Sequence, residues 1–389
     1  MNATSLRKNV KKKSINLHKT FTLRLMSGIP FQLLEELVKR ENENSLRALK
    51  STAGIDFSSN DYLGLAFSIP LQEKIKQAVS EASKQLGSTG SRLLTGNSSY
   101  TEELENTLAN YFKGEAALLF NSGYSANTGL LSCIAKREDT IVYDQYCHAS
   151  IRDGIKLSTS KSYGFKHNDL EDLSKKLANA KGNRYVVVES IYSMDGDFAL
   201  LKEIETICKL NKALLIVDEA HSTGICGKNG EGYCVQEGIA TFARVHTFGK
   251  AAGYHGACII GSAKLKEYLI NFSKPLIYTT ALPPHAMVCI EECIKYLSNA
   301  GKEREQLMKN ISLYNKEKGI IGLSPIKTIL IEGNTEVKAF AKQLQEKGFS
   351  VFPILYPTVP EGKERIRICL HSQNTEEDII ELTKSLKTI

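Results

Sequence analysis

No two of the nine cysteines in this chain are spaced as a C-x-x-C pair, which removes the usual signature of structural zinc and of thioredoxin-like chemistry. Cys289 and Cys293 lie four apart in a helical pattern and read as packing residues, so no metal is expected. No apolar run approaches the roughly 20 residues that a membrane span needs. No secretory signal opens the chain, and reduced thiols in a cytoplasmic protein are the expectation. Acidic residues are also missing at the start, where the first is Glu35. Residues 1–25 hold Arg7, Lys8, Lys11, Lys12, Lys13, Lys19 and Arg24, and these seven make up the whole formal charge of +7, because the rest of the chain balances 43 basic against 43 acidic residues. A neutral body argues against a nucleic-acid partner. The basic leader reads as a disordered arm, with contact to nucleic acid or a transit peptide as the alternatives and Met26 as a conceivable second start.

One further absence decides between two readings of "ALLIVDEAHSTG", residues 213–224. In a helicase, an apolar strand ending in D-E-A-H holds Mg²⁺ beside a nucleotide, but that reading needs a G-x-x-x-x-G-K-[ST] loop upstream. None occurs, and "CGKN" at 226–229 follows the motif and has no Ser or Thr after its lysine. An NTPase is therefore a remote alternative.

What is present is a chain of 389 residues, 42% of them hydrophobic, long enough for a large core. A helix is expected near residues 29–42, a short strand in "IDFSS", and a Gly/Ser/Thr loop feeding a helix that Ser99 and Glu102 would cap. From residue 116 short apolar runs alternate with helical segments: "AALLF", "TIVYD", "RYVVVES", "ALLIVDE", "RVHTF" and "GACIIGS" read as buried strands. Strands separated by helix-length crossovers imply an α/β fold with a mainly parallel sheet, whose ligands sit beyond the carboxyl ends of the strands. Near residue 286 the pattern changes to one long helical stretch through about 318. A small α+β region follows, including "FSVFPILYP", "RIRICLHS" and a last helix capped by Asn374 and Glu377. The expected organisation is a leader (1–25), an N-terminal segment (26–58), a large cofactor-binding domain (59–285) and a small C-terminal domain (286–389).

The polar residues after these strands meet the demands of pyridoxal phosphate, which needs a lysine for covalent attachment, a carboxylate on the ring nitrogen, an anion cradle and packing against the ring. "VHTFGKAAG" offers Lys250 just after a strand, with Thr247 in reach of a phosphate oxygen. Asp218 ends its strand and would keep the ring nitrogen protonated; His221, three residues on, is placed for the phenolic oxygen. "NSGYSANTG" sets Ser122, Gly123 and Tyr124 at a helix start, where free N–H groups bind phosphate. Each piece alone is common, and their joint occurrence in this order carries the argument.

The motifs "FSSNDYLGLA", "GSTGSRLLTGN", "NSGYSAN", "HASIRDG", "YSMDGDFALL", "DEAHSTG", "TFGKAAGYHGA" and "PTVPEGKERIRICL" resemble those of the α-oxoamine synthases over roughly residues 30–389. The resemblance implies an aspartate-aminotransferase-like, fold type I enzyme, working as a homodimer with sites at the subunit interface. It implies Lys250 as the cofactor lysine, Asp218 and His221 as its ring partners, and His148 as the histidine stacked on the ring. Ser193 and Thr247 match polar contacts to the cofactor, and Gly123 and Tyr124 match the phosphate loop. Thr279 and Thr280 match a segment reaching the other subunit's phosphate, Asn60 a residue near the substrate, and Arg367 the partner of the amino-acid carboxylate. Without the resemblance, Ser193 reads as a turn cap and His148 as a core histidine, and spacing does not choose between Arg365 and Arg367. The implied reaction is decarboxylative condensation of L-alanine with a pimeloyl thioester, presented by coenzyme A or an acyl-carrier protein. Relatives carry a longer, arginine-bearing segment before "IDFSSNDYLG". Here it is "ENENSLRALKSTAG", with Arg40 and Arg47 nearby, so a sister enzyme using glycine or serine with another acyl thioester stays open.

Overall fold

The computed structural model describes residues 28–49, 53–82 and 85–388, so the basic leader and Met26 lie outside the described residues. A two-residue strand, β1 (Ile55–Asp56), is followed by β2 (Ala116–Phe120), β3 (Thr140–Asp144), β4 (Lys161–Phe165), β5 (Arg184–Glu189), β6 (Ala213–Asp218), β7 (Ala243–Thr247) and β8 (Ala257–Gly261). The last seven form one sheet in the order β2-β8-β7-β6-β5-β3-β4. All run parallel except β8, which opposes both its neighbours. This is the mainly parallel α/β sheet the apolar runs imply.

Both faces of the sheet are covered, and alternate residues of one strand feed opposite cores. Along β5, Tyr185 and Val187 pack with Leu130, Ile151 and Val245 on one side, while Val186 and Val188 pack with Leu173, Ile204 and Val217 on the other. β4 escaped the sequence reading because it is an edge strand: four of its five residues are exposed, so it has no buried alternation to read.

The C-terminal part holds β9 (Ile326–Leu330), β10 (Phe349–Ser350), β11 (Phe352–Ile354) and β12 (Arg365–Cys369). β12 lies between β11 and β9 in a three-stranded antiparallel sheet, and β10 pairs parallel with β1. The "FSVFPILYP" run is thus divided between two sheets. Three local expectations need correction. The long helix from 286 to 318 is two helices, Pro284–Asn299 and Gly301–Lys318, broken at Ala300, where Arg304 donates to the Leu297 carbonyl at 2.8 Å and satisfies the end of the first. The helix Ser99–Tyr111 is capped by Ser98, whose hydroxyl accepts from the Thr101 amide. The last helix, Glu376–Thr388, is preceded by a reciprocal Thr375–Asp378 cap, while Asn374 accepts from the His371 amide instead.

Candidate active site

The carboxyl ends of the central strands open onto a cavity of about 250 Å³. Glu189 and Asp218, the last residues of β5 and β6, stand side by side in register. The turn after β7 brings Lys250 and the helix Gly123–Ile134 brings its N-terminus; His148 caps the helix Ala149–Leu157 beside them. The cavity is therefore lined by Ser122, Gly123, Tyr124, His148, Asp218, His221, Thr247 and Lys250, all expected from the sequence.

Hydrogen bonds fix these side chains. Asp218 accepts from the Asn127 amide at 2.7 Å and from the Ala220 backbone N–H at 2.8 Å, so its carboxylate is held by two donors at the strand end. Asn127 also donates to Ser150 Oγ at 3.0 Å, and that hydroxyl lies 2.8 Å from His148 Nδ1. On the other side, His221 Nδ1 is 2.7 Å from the Tyr62 hydroxyl, which donates to Asn60 Oδ1 at 3.1 Å. Asn60 Oδ1 accepts from Arg367 Nη2 at 2.8 Å, and Arg367 Nε donates to the Ser193 carbonyl at 2.6 Å. Tyr62 is fully buried and His221 nearly so.

Burial dominates the proton affinities here. It lowers the Lys250 pKa below the usual lysine range, helped by the Arg367 charge and opposed by Asp218 and Glu189. Burial and the cations Lys250 and Arg367 hold His221 well below the usual imidazole value, so it is neutral. The Glu189 carboxyl, buried beside Asp218, is pushed up to about 8.

Some expected residues lie apart from the cavity. Ser193 lines a neighbouring one and contributes its carbonyl to Arg367. Thr279 and Thr280 do not line it; Thr280 is exposed, its carbonyl accepting from Asn121. Arg365 and Arg367 part company: Arg365 is paired with Asp195, whereas Arg367 faces the Asn60–Tyr62–His221 chain. Sequence reasoning missed Glu189, Asn127, Ser150 and Tyr62. The first had a readable signal, since it ends a buried parallel strand beside Asp218, and Asn127 is a polar residue one turn into an otherwise buried helix.

The cavity suits a phosphorylated ring. Thr247 Oγ1 is buried without a hydrogen-bond partner among the described residues, beside the helix N-terminus at Gly123 and Tyr124. A Cβ at Gly123 would lie 2.4 Å from Thr247 Cγ2, so this cradle requires glycine. An acceptor such as phosphate would satisfy the hydroxyl and the free amides together.

The comparisons agree with this geometry. The family model for aminotransferase class I and II matches residues 52–386. An 8-amino-7-oxononanoate synthase of Lysinibacillus sphaericus is 37% identical over 343 residues, covering 86% of this chain and 88% of that one. The structure of an 8-amino-7-oxononanoate synthase from Francisella tularensis superposes with a TM-score of 0.74 at 31% identity, covering 86% of this chain and 98% of the other. A serine palmitoyltransferase from S. paucimobilis, solved with bound pyridoxal phosphate and myriocin, gives 0.83 at 27% identity, covering 92% and 96%. The chain belongs to the aminotransferase class I and II family, and its cofactor is pyridoxal phosphate.

Proposed function

We propose that this protein is an 8-amino-7-oxononanoate synthase of biotin biosynthesis, a pyridoxal-phosphate-dependent acyltransferase. It joins L-alanine to a pimeloyl thioester with release of CO₂ and free thiol. The observation that carries this reading is the convergence of Lys250, Asp218, His221 and His148 on one cavity, with Arg367 linked to His221 through Asn60 and Tyr62.

Bound pyridoxal phosphate supplies an electron sink for the pair released when the bond from Cα to hydrogen breaks. Lys250 would hold the cofactor covalently and its free amine would take the Cα proton; its depressed pKa suits a base. Asp218 would meet the ring nitrogen and hold its proton, and Asn127 and the Ala220 amide keep that carboxylate in place. His221 has Nδ1 engaged by Tyr62, which leaves Nε2 for the phenolic oxygen. His148, which lines the same cavity, would pack on the ring. Ser122, Gly123, Tyr124 and Thr247 hold the phosphate, with Ser193 as a further polar contact near the ring. Arg367 pairs with the amino-acid carboxylate beside Asn60, a role its fork geometry suits and which Arg365, already bound to Asp195, is less free to take.

The working unit is a homodimer, in which Thr279 and Thr280 serve the other subunit's phosphate. The nine free, buried cysteines support a cytoplasmic setting. Coenzyme A and an acyl-carrier protein present the same thioester, and both are acceptable acyl donors in this reading. A sister activity, serine or glycine with another acyl thioester, draws its support from the serine palmitoyltransferase likeness.

The test has two parts. Purified protein should be yellow, and borohydride should fix the cofactor to the peptide containing Lys250; a colourless protein that takes up no added cofactor overturns the assignment. Thiol and CO₂ release is then followed with alanine, glycine or serine against acetyl, pimeloyl and long-chain thioesters. Preference for alanine with pimeloyl is expected, and preference for another pair moves the protein to a sister activity.

A further inference from the structure

Next to the cofactor cavity lies a second one of about 540 Å³, and His148 lines both. Its walls are largely apolar or aromatic, with Tyr146, Tyr192, Met194, Pro357, Val359 and Pro360 among them. Two arginines reach it, Arg152 and Arg365. Arg365 is neutralised by Asp195 and also donates to the Lys363 carbonyl at 2.9 Å. Arg152 differs, because its side chain has no hydrogen-bond or ion-pair partner among the described residues; its neighbour Asp153 is engaged by Tyr124 and Lys156 instead. The cavity thus offers an apolar path from the cofactor side and one guanidinium with no ion-pair partner among the described residues, the Asp153 carboxylate acting on it only at longer range.

The helix sets the spacing. Arg152 follows His148 by four residues, its N–H bonded to the His148 carbonyl at 3.3 Å, so the two share a face about 6 Å apart along the axis. The Arg152 charge is close enough to help hold the His148 pKa down, after burial and Lys250. A chain whose thioester carbon reacts beside His148 would run along the apolar wall and end near this guanidinium. An apolar wall alone accepts any saturated acyl chain, whereas a carboxylate brought into it needs a counter-ion.

We infer that Arg152 binds the distal carboxylate of the acyl donor, so that this cavity selects an α,ω-dicarboxylic acyl thioester over its monocarboxylic counterpart. The inference rests on the synthase reading above and deepens it. Arg47 is the rival cation: it donates to Thr358 Oγ1 at 2.8 Å at the rim, but it does not line the cavity.

The full-length holoenzyme is assayed with L-alanine and either pimeloyl-CoA or heptanoyl-CoA, following thiol release. Wild type, Arg152→Ala, Arg152→Lys and Arg47→Ala are compared, with the cofactor absorption of each as the folding control. The expected result is a 10- to 100-fold fall in the pimeloyl-over-heptanoyl ratio of kcat/KM for Arg152→Ala, about the loss of one hydrogen bond to a charged group. Arg152→Lys should recover part of the ratio and Arg47→Ala should keep it. A wild type that uses pimeloyl-CoA but shows no preference over heptanoyl-CoA, or an Arg152→Ala ratio equal to wild type, overturns this inference alone; so does loss of the ratio in Arg47→Ala with Arg152→Ala unaffected. A wild type that turns over other acyl-CoA thioesters, and neither pimeloyl-CoA nor pimeloyl-acyl-carrier protein, overturns the synthase reading and this inference with it.

Discussion

At the scale of single residues, the site is a set of polar groups held by neighbours that the sequence does not advertise. Tyr62 is the clearest case. Its hydroxyl is fully buried, meets His221 Nδ1 at 2.7 Å and Asn60 Oδ1 at 3.1 Å, and lies 3.5 Å from Arg367 Nη2. It joins the group proposed to touch the cofactor to the group proposed to hold the substrate carboxylate. Tyr62→Phe keeps the ring in its core place but removes the hydroxyl that donates to Asn60 Oδ1 and meets His221 Nδ1, leaving both buried groups without this partner, at a cost of about 1–3 kcal/mol. Steady-state assays should show kcat/KM for the amino acid falling about 10- to 100-fold, with an unchanged circular dichroism spectrum. Unaltered kinetics would make Tyr62 a packing residue. The proposed cofactor residues Lys250, Asp218 and His221, which line one cavity, could be picked out because each stands at a fixed offset from a strand end. Tyr62 could not, because only the fold brings residue 62 against residue 221.

At the scale of elements, the precision of the site depends on how closely the helices Gly123–Ile134 and Ala149–Leu157 pack. The first carries the proposed phosphate cradle and Asn127; the second carries His148 at its cap and Ser150. Gly154 permits the approach, since a Cβ there would lie 2.9 Å from the Asn127 carbonyl oxygen and 3.0 Å from both Leu131 Cβ and Thr128 Cα. Gly154→Ala should therefore overpack the contact at a cost of about 1–3 kcal/mol. Thermal melts should show a lower Tm, and titration with pyridoxal phosphate a weaker affinity, because the Asn127–Asp218 and Ser150–His148 contacts shift together. A variant with wild-type Tm and affinity would show that the helices adjust freely. Elements with buried faces were legible in the sequence, while β4 was not, because an edge strand has little apolar alternation to display. Caps were displaced by a residue for a related reason: neighbouring Ser, Thr and Asn all have the chemistry, and backbone geometry chooses among them.

For the whole molecule, the exposed apolar surface bears on assembly. Leu94 and Tyr278 are 80% and 81% exposed, and their segments are joined by the Ala281 N–H bonded to the Gly90 carbonyl at 3.0 Å. Exposed large apolar residues are the kind a contact surface buries, and Thr279 and Thr280 follow Tyr278 directly in the chain. If the dimer forms here, Leu94→Asp together with Tyr278→Asp should shift sedimentation from dimer to monomer and weaken cofactor binding; a double variant that stays dimeric and active would place the interface elsewhere. By itself the sequence determined the α/β class, the strand-end lysine, aspartate and histidine, and the glycine-bearing cradle, because these depend on hydrophobic period and on short offsets along one strand or helix. Tertiary structure alone decided the strand order, the pairing of β1 with β10, and the choice of Arg367 over Arg365 as the arginine beside His221. Those outcomes depend on contacts between residues hundreds of positions apart, where register and packing, rather than local pattern, set which side chains meet.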